Sequence, residues 1–177
     1  MSKSNNIVCV PLKDTEKRFL LGKEGKTAEL LAIGVNPNTA NEESLDPTAQ
    51  NIETIAHNNS CDGWWLINLY PLRTPKPELL PKVEDADLTK LNLSVIEEFL
   101  QENKRIKKVL CCWGDNVDYF SYLSGNAQKI IGLINSFSVP VYCLAKTARK
   151  NPYHAGPRAV NRYLGGVNNV ELKEYSL

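Results

Sequence analysis

The chain has 177 residues, a net charge of +1, 42% hydrophobic and 23% charged residues, a balance typical of soluble globular proteins. That length suits one well-buried domain, and no shift in composition marks a second. No apolar run approaches the roughly 18–20 residues that span a bilayer, and the polar start Met1-Ser2-Lys3-Ser4-Asn5-Asn6 is not a signal peptide.

In chain order, Ile7-Val8-Cys9-Val10 and Arg18-Phe19-Leu20-Leu21 read as short strands, an antiparallel pair ahead of the main sheet. The continuous apolar run over residues 30–35 is the first core strand, stopped by Gly34 and Pro37. Asp46-Pro47 opens a helix, with Asp as N-cap and Pro in the first turn. Ile52, Ile55 and Ala56 give it an apolar face, and Asn58-Asn59 ends it. Residues 64–69 form the second core strand, followed by a loop with Pro71, Pro75, Pro77 and Pro81. Leu88, Leu91, Val95 and Phe99, with Ile96 and Leu100, make a helical stripe. The third strand runs over 108–113 to Gly114, helical signals follow at 115–123 and 127–137, and the fourth strand covers 139–144. A last helix near 157–164 and an edge strand near 170–173 complete the pattern.

Strands alternating with helices predict βαβ crossovers. The expected fold is α/β: a three-layer α/β/α sandwich around a mainly parallel four-stranded sheet. Residues 1–177 form a single domain, with 1–27 as N-terminal strands preceding a core of 28–165. The five cysteines, Cys9, Cys61, Cys111, Cys112 and Cys143, are odd in number and lie mostly in predicted strands, which fits reduced thiols in a cytoplasmic protein. Between residues 119 and 170 there is no Asp or Glu but six basic residues, so this stretch carries +6 and the remainder −5. It is either a basic surface for phosphate or nucleic acid or a face balanced by the acidic helix near residues 84–102.

In open α/β sheets ligands bind at the carboxyl ends of the strands. Those ends carry Asn36, Pro37, Asn38 and Thr39 after the first core strand, then Asn68, Tyr70 and Arg73, then Asp115 after the third. Lys146, Thr147, Arg149, Lys150, Tyr153 and His154 follow the fourth. Asparagine donates and accepts, and so reads a base edge or orients a water; histidine donates to developing negative charge or moves a proton. Asn36 either closes a turn or meets a ligand. Asn68, set among apolar residues, either bonds the backbone or reaches into the rim, and His154 is either a site residue or a locally bonded loop residue. His57 reads as a surface residue at a helix end. The chain has no Cys-x-x-Cys spacing for a metal, no phosphate-binding glycine motif and no Gly-x-Ser-x-Gly elbow. Adjacent Cys111 and Cys112 on a strand point to opposite faces.

Asn36-Pro37-Asn38-Thr39-Ala40, Asp46-Pro47-Thr48, Asn68-Leu69-Tyr70-Pro71-Leu72-Arg73, Cys112-Trp113-Gly114 and Cys143-Leu144-x-x-Thr147 together resemble the bacterial domain-of-unknown-function family 1643. The resemblance runs from about residue 30 to 154. More distantly, Gly34-Val35-Asn36-Pro37, the strand ending in Asn68 with its Pro-rich loop, and Asn151-Pro152-Tyr153-His154 are similar to motifs of the uracil-DNA glycosylase superfamily. That similarity implies the glycosylase-like fold and hydrolysis of N-glycosidic bonds in nucleic acid or nucleotides, with no cofactor. It implies Asn36 and His154 as catalytic residues, the first holding water and the second stabilising the departing base. Asn68 would read the base, with Pro37, Asn38, Thr39, Tyr70, Arg73 and Thr147 as further binding residues and Arg149, Lys150 and Arg158 on phosphate. Partners would be DNA, RNA or nucleotides, and no membrane. The alternatives are a non-catalytic nucleotide or nucleic-acid binding module on the same scaffold, and a structural rim on a protein that acts through partner surfaces.

Overall fold

In the computed structural model, residues 6–177 are described, and the polar segment of residues 1–5 lies outside them. The strands are β1 (Ile7–Val10), β2 (Leu20–Lys23), β3 (Glu29–Gly34), β4 (Gly63–Asn68), β5 (Ile106–Cys111), β6 (Val141–Cys143) and β7 (Lys173–Glu174). They form one sheet in the order β1-β2-β4-β3-β5-β6-β7. β3 pairs in parallel with β4 and β5, and β5 with β6; β1–β2, β2–β4 and β6–β7 pair antiparallel.

The α/β class is as expected, but the four-stranded, mainly parallel sheet needs correction. The sheet is mixed and has seven strands. The parallel strands occupy its middle, and antiparallel strands extend both sides by pairing with backbone N–H and C=O groups that would otherwise be open. A short connection between β1 and β2 leaves antiparallel pairing as their only geometry. Gly22 lets β2 lie close to β4, since a Cβ there would meet the Trp64 carbonyl oxygen at 2.3 Å and the Trp65 ring at 2.6 Å.

Every residue of β3 and β4 is buried, so period-2 alternation divides their side chains between two covered faces. Leu31, Ile33, Trp65, Ile67, Val109 and Cys111 pack on the face covered by α2 (Ala86–Glu102) and α3 (Ser121–Ser136). Leu30, Ala32, Trp64, Leu66, Leu110 and Cys112 pack on the other, under α1 (Pro47–Asn58) and α4 (Pro157–Tyr163). The opposed directions of Cys111 and Cys112 are as the strand pattern predicts.

The Asp46 side chain accepts the Ala49 N–H at 2.9 Å, Pro47 occupies the first turn of α1, and Ala49, Ile52, Ile55 and Ala56 make its buried stripe. Asp85 caps α2 in the same way, accepting from the Asp87 and Leu88 N–H groups. The two helical stretches expected at 115–123 and 127–137 divide elsewhere. A 3₁₀ segment covers Gly114–Tyr119, and α3 then runs unbroken through Ser124-Gly125-Asn126. Gly125 costs about 1 kcal/mol relative to Ala within a helix; burial of Leu123, Ala127, Ile130 and Ile134 along one face outweighs it.

The amino-terminal rim is fastened by a buried carboxylate. Glu29 accepts from Trp65 Nε1 at 2.7 Å, Asn103 Nδ2 at 2.5 Å, Arg105 Nε at 3.0 Å and the Gly25 N–H at 2.8 Å. At the opposite rim, the loop after β3 leads to α1 on one face, while the segment after β5 leads to α3 on the other. Neighbouring strands whose connections leave on opposite faces open a crevice between them, the usual ligand position in such sheets.

Candidate functional site

A cavity of about 470 Å³ occupies that crevice, within the size range of small-molecule sites. The ends of β3, β4 and β5 supply Asn36, Asn68 and Cys112; the start of α1 supplies Asp46 and Thr48, and the loop before α4 supplies His154. Thus Asn36, Asn38, Thr39, Asn68 and His154, separated by more than a hundred residues in sequence, line one space.

Asn36 closes a turn and keeps a free acceptor. Its Nδ2 donates to the Pro37 carbonyl at 2.9 Å, the Thr74 carbonyl at 3.1 Å and Thr74 Oγ1 at 2.9 Å. These bonds fix the amide orientation. Among the described residues nothing donates to Oδ1, which remains able to hold a water or a ligand donor.

Asn68 is 2% exposed, and its Nδ2 has no hydrogen-bond partner among the described residues. Its backbone carbonyl is held by Asn92 Nδ2 at 3.0 Å, so the strand end is fixed while the side-chain donor is unsatisfied. Leaving a buried donor unpaired costs about 1–3 kcal/mol, a cost that a ligand acceptor would remove. The side chain lies across Gly34, where a Cβ would come within 2.9 Å of Asn68 Oδ1. Glycine at the end of β3 is therefore what makes room for the Asn68 amide.

His154 Nδ1 accepts the Gly156 N–H at 2.9 Å. In a neutral imidazole with an accepting Nδ1, Nε2 carries the proton and donates. Burial lowers the pKa below its usual 6.5, opposed by the charge of Asp46. The ring is therefore a neutral donor near pH 7. Glycines shape its surroundings: Gly114, at φ +64, sits against the His154 backbone, and a Cβ on Gly156 would come within 2.7 Å of Nδ1.

Cys112 Sγ donates to the Ile33 carbonyl at 3.4 Å, and burial pushes its thiol pKa up to about 12. It stays protonated at neutral pH and is not a nucleophile. Among the described residues, Asp46 is the one carboxylate lining the cavity; its Oδ1 is engaged by the Ala49 N–H. No group of three or more His, Cys, Asp or Glu among those residues is placed to hold a metal ion.

The other residues singled out from the sequence lie elsewhere. Pro37 is buried beside the cavity and offers its carbonyl to Asn36 and to the Thr74 N–H. Tyr70 is buried in the core, where its hydroxyl accepts the Asp85 N–H at 3.2 Å and its ring tilts against Tyr122. Arg73 lines a second cavity of about 520 Å³, which shares Asn38, Thr39, Thr74 and Pro75 with the first. Thr147 donates to Asp115 Oδ1 at 2.6 Å and so ties down the loop after β6. Arg149 pairs with Asp118 at 3.2 Å beside a smaller cavity; Lys150 and Arg158 are exposed, and none of the three lines the main cavity.

Arg18, Asp46 and Thr48 belong to the cavity wall, whereas the sequence marks Arg18 only as the start of a strand and Asp46-Pro47-Thr48 only as a helix start and a family motif. For Asp46 and Thr48 the Asp-Pro-Thr sequence shows a helix start but cannot show what that start faces. For Arg18 the one signal was a charge immediately before the apolar Phe19-Leu20-Leu21.

The model of the family described as Protein of unknown function (DUF1643) matches residues 18–155, beginning at Arg18 and ending one residue past His154. The chain belongs to this family. The match spans the whole cavity wall apart from Pro157. No curated protein and no solved structure matches the chain. No helix among the described residues is long and apolar enough to cross a membrane.

Proposed function

We propose that the cavity binds a nucleobase-containing ligand and hydrolyses its N-glycosidic bond, as the likeness to uracil-DNA glycosylases suggests. The observation that carries this reading is that Asn36, Asn68 and His154 line one cavity with complementary free valences: an acceptor on Asn36, an unpaired donor on Asn68 and a neutral donor on His154. Asn68 bonds the edge of the base. As the bond from the sugar carbon to the base nitrogen breaks, its electrons pass to the base and the sugar acquires oxocarbenium character. His154 Nε2–H donates to the negative charge developing on the base, a preorganised stabilisation. Asn36 Oδ1 orients the water that adds to the sugar carbon. An amide cannot take that water's proton, so it leaves late, and Asp46 is the carboxylate on the wall able to receive it. A base drawn from duplex nucleic acid would first have to leave its stack, at a cost of about a few kcal/mol.

The test is mass-spectrometric detection of free base after incubation with deaminated and damaged oligonucleotides, nucleosides and nucleotides. Release that disappears in Asn36→Ala and His154→Ala is the expected result. The hydrolase reading fails if folded protein releases nothing across the panel, or if both variants release base at the native rate. Saturable binding without release would instead establish the non-catalytic binding module.

A further inference from the structure

Arg18 is 1% exposed, yet it lines the main cavity. Of its five N–H donors, the only bond formed among the described residues is from Nη1 to the Ala40 carbonyl at 2.6 Å; Nε is buried without a partner. Among the described residues, no carboxylate oxygen lies within 4.0 Å of its guanidinium. A buried cation with most of its donors unused is costly, and an anion arriving through the cavity would satisfy them. Burial does lower its pKa, assisted by the charge of Arg73 and opposed by Asp46, but only to about 10, so the group is charged at neutral pH.

Two further features favour an anion. The first turn of α1, a twelve-residue helix, opens onto the same cavity through Asp46, Pro47 and Thr48. The Thr48 N–H has no intrahelical acceptor, and the Thr48 hydroxyl forms no bond among the described residues, so both can donate to an oxyanion. Arg73 Nη1 donates to the same Ala40 oxygen at 3.1 Å, and Arg73 Nε is also buried and unpartnered among the described residues. The opposing charges are Asp46, already engaged by the Ala49 N–H, and Glu42 on the neighbouring cavity, whose Oε2 is buried without a partner. Neither neutralises Arg18 by contact.

We propose that Arg18, with the Thr48 end of α1, is the phosphate subsite of this cavity, and that the ligand is a mononucleotide carrying a terminal phosphate monoester. The inference rests on the reading of Asn68 as the base contact. A guanidinium offers paired donors that match phosphate oxygens, and Asn68 on the same wall is left to the base. Arg18 is so enclosed that the phosphate must enter the interior. A terminal monoester needs one exit for the rest of its molecule, whereas an internal phosphodiester of a polymer needs two.

The experiment is a titration of ¹⁵N-labelled protein with inorganic phosphate, following the Arg18 Nε–Hε signal assigned by its loss in Arg18→Gln. Calorimetry then compares nucleoside 5′-monophosphates, the matching nucleosides and oligonucleotides. The expected result is a saturable shift of the Arg18 signal, with nucleotides binding about tenfold or more tightly than nucleosides. That preference should vanish in Arg18→Gln and weaken in Thr48→Val, which leaves the arginine in place. If Arg18 only buttresses the Ala40 carbonyl, Arg18→Gln will lose stability while phosphate shifts nothing in the native protein, and the subsite is refuted. Oligonucleotides binding more tightly than mononucleotides would refute the ligand class. Absence of base release would not touch the phosphate titration, so failure of the hydrolase reading and failure of this one are distinguishable.

Discussion

Gly156→Ala tests whether the His154 ring is held where the proposed chemistry needs it. Gly156 has φ −69, which any residue adopts, so backbone strain contributes nothing. The effect comes from contact. The new Cβ would stand 2.7 Å from Nδ1, where ordinary contact begins at 3.4 Å, leaving the ring about 0.7 Å too close. The His154 backbone is packed against Gly114, so the imidazole yields by rotating towards the cavity. Rotation breaks the bond from the Gly156 N–H, worth about 1 kcal/mol, and an off-rotamer side chain adds about 0.5–1.5 kcal/mol. A stability loss of about 2 kcal/mol is therefore expected, read as a lower urea midpoint at unchanged slope. Displacements of this size cost catalysis far more than stability, so base release should fall by about tenfold to a hundredfold. Imidazole nitrogen shifts would show whether Nδ1 has ceased to accept. Gly125→Ala is the control: a Cβ there meets nothing within 4 Å, and the variant should gain about 0.4–1 kcal/mol. A Gly156→Ala protein with native midpoint, native imidazole shifts and native activity would refute the reasoning.

Glu29→Ala removes the acceptor shared by Trp65, Asn103 and Arg105 and should cost about 3–5 kcal/mol in urea unfolding, with unfolding at lower temperature; a loss below 1 kcal/mol would remove Glu29 from its fastening role. Asn68→Ala deletes an unsatisfied donor beside an existing cavity, so stability should change by less than about 1 kcal/mol while binding of base-containing ligands is lost by calorimetry; large destabilisation with intact binding would make Asn68 a structural residue. The folded state holds the His154 pKa below 6.5, so the unfolded chain takes up the proton first and stability declines as pH falls below 6.5. Urea midpoints measured from pH 7.5 to 5 should therefore drop further for the native protein than for His154→Gln, and parallel curves would contradict a neutral imidazole with a lowered pKa.

Elements whose causes are local can be read from the chain alone. Asp46-Pro47 sets the start of α1 because the cap and the fixed proline φ act within one turn. The unbroken apolar runs of β3 and β4 require cover on both faces, and hence an α/β fold with strand-end loops along one rim. Asn36, Asn68 and His154 were legible as rim residues for the same reason. The rest depends on packing between distant segments. Whether β2 ends at Leu21 or Lys23 depends on β4, the partner it pairs with and whose Trp65 ring Gly22 admits. Gly125 breaks a helix in isolation but not when its neighbours' apolar face is buried on the sheet. Tyr70 and Asn68 are two residues apart, yet one is packed beneath α2 and the other lines the cavity. The state of Arg18 likewise depends on groups far from it in sequence: the Ala40 carbonyl that accepts from its guanidinium, and the Asp46 and Arg73 charges that act on its pKa. Local sequence sets backbone preference, whereas burial and unsatisfied valence are properties of the packed whole.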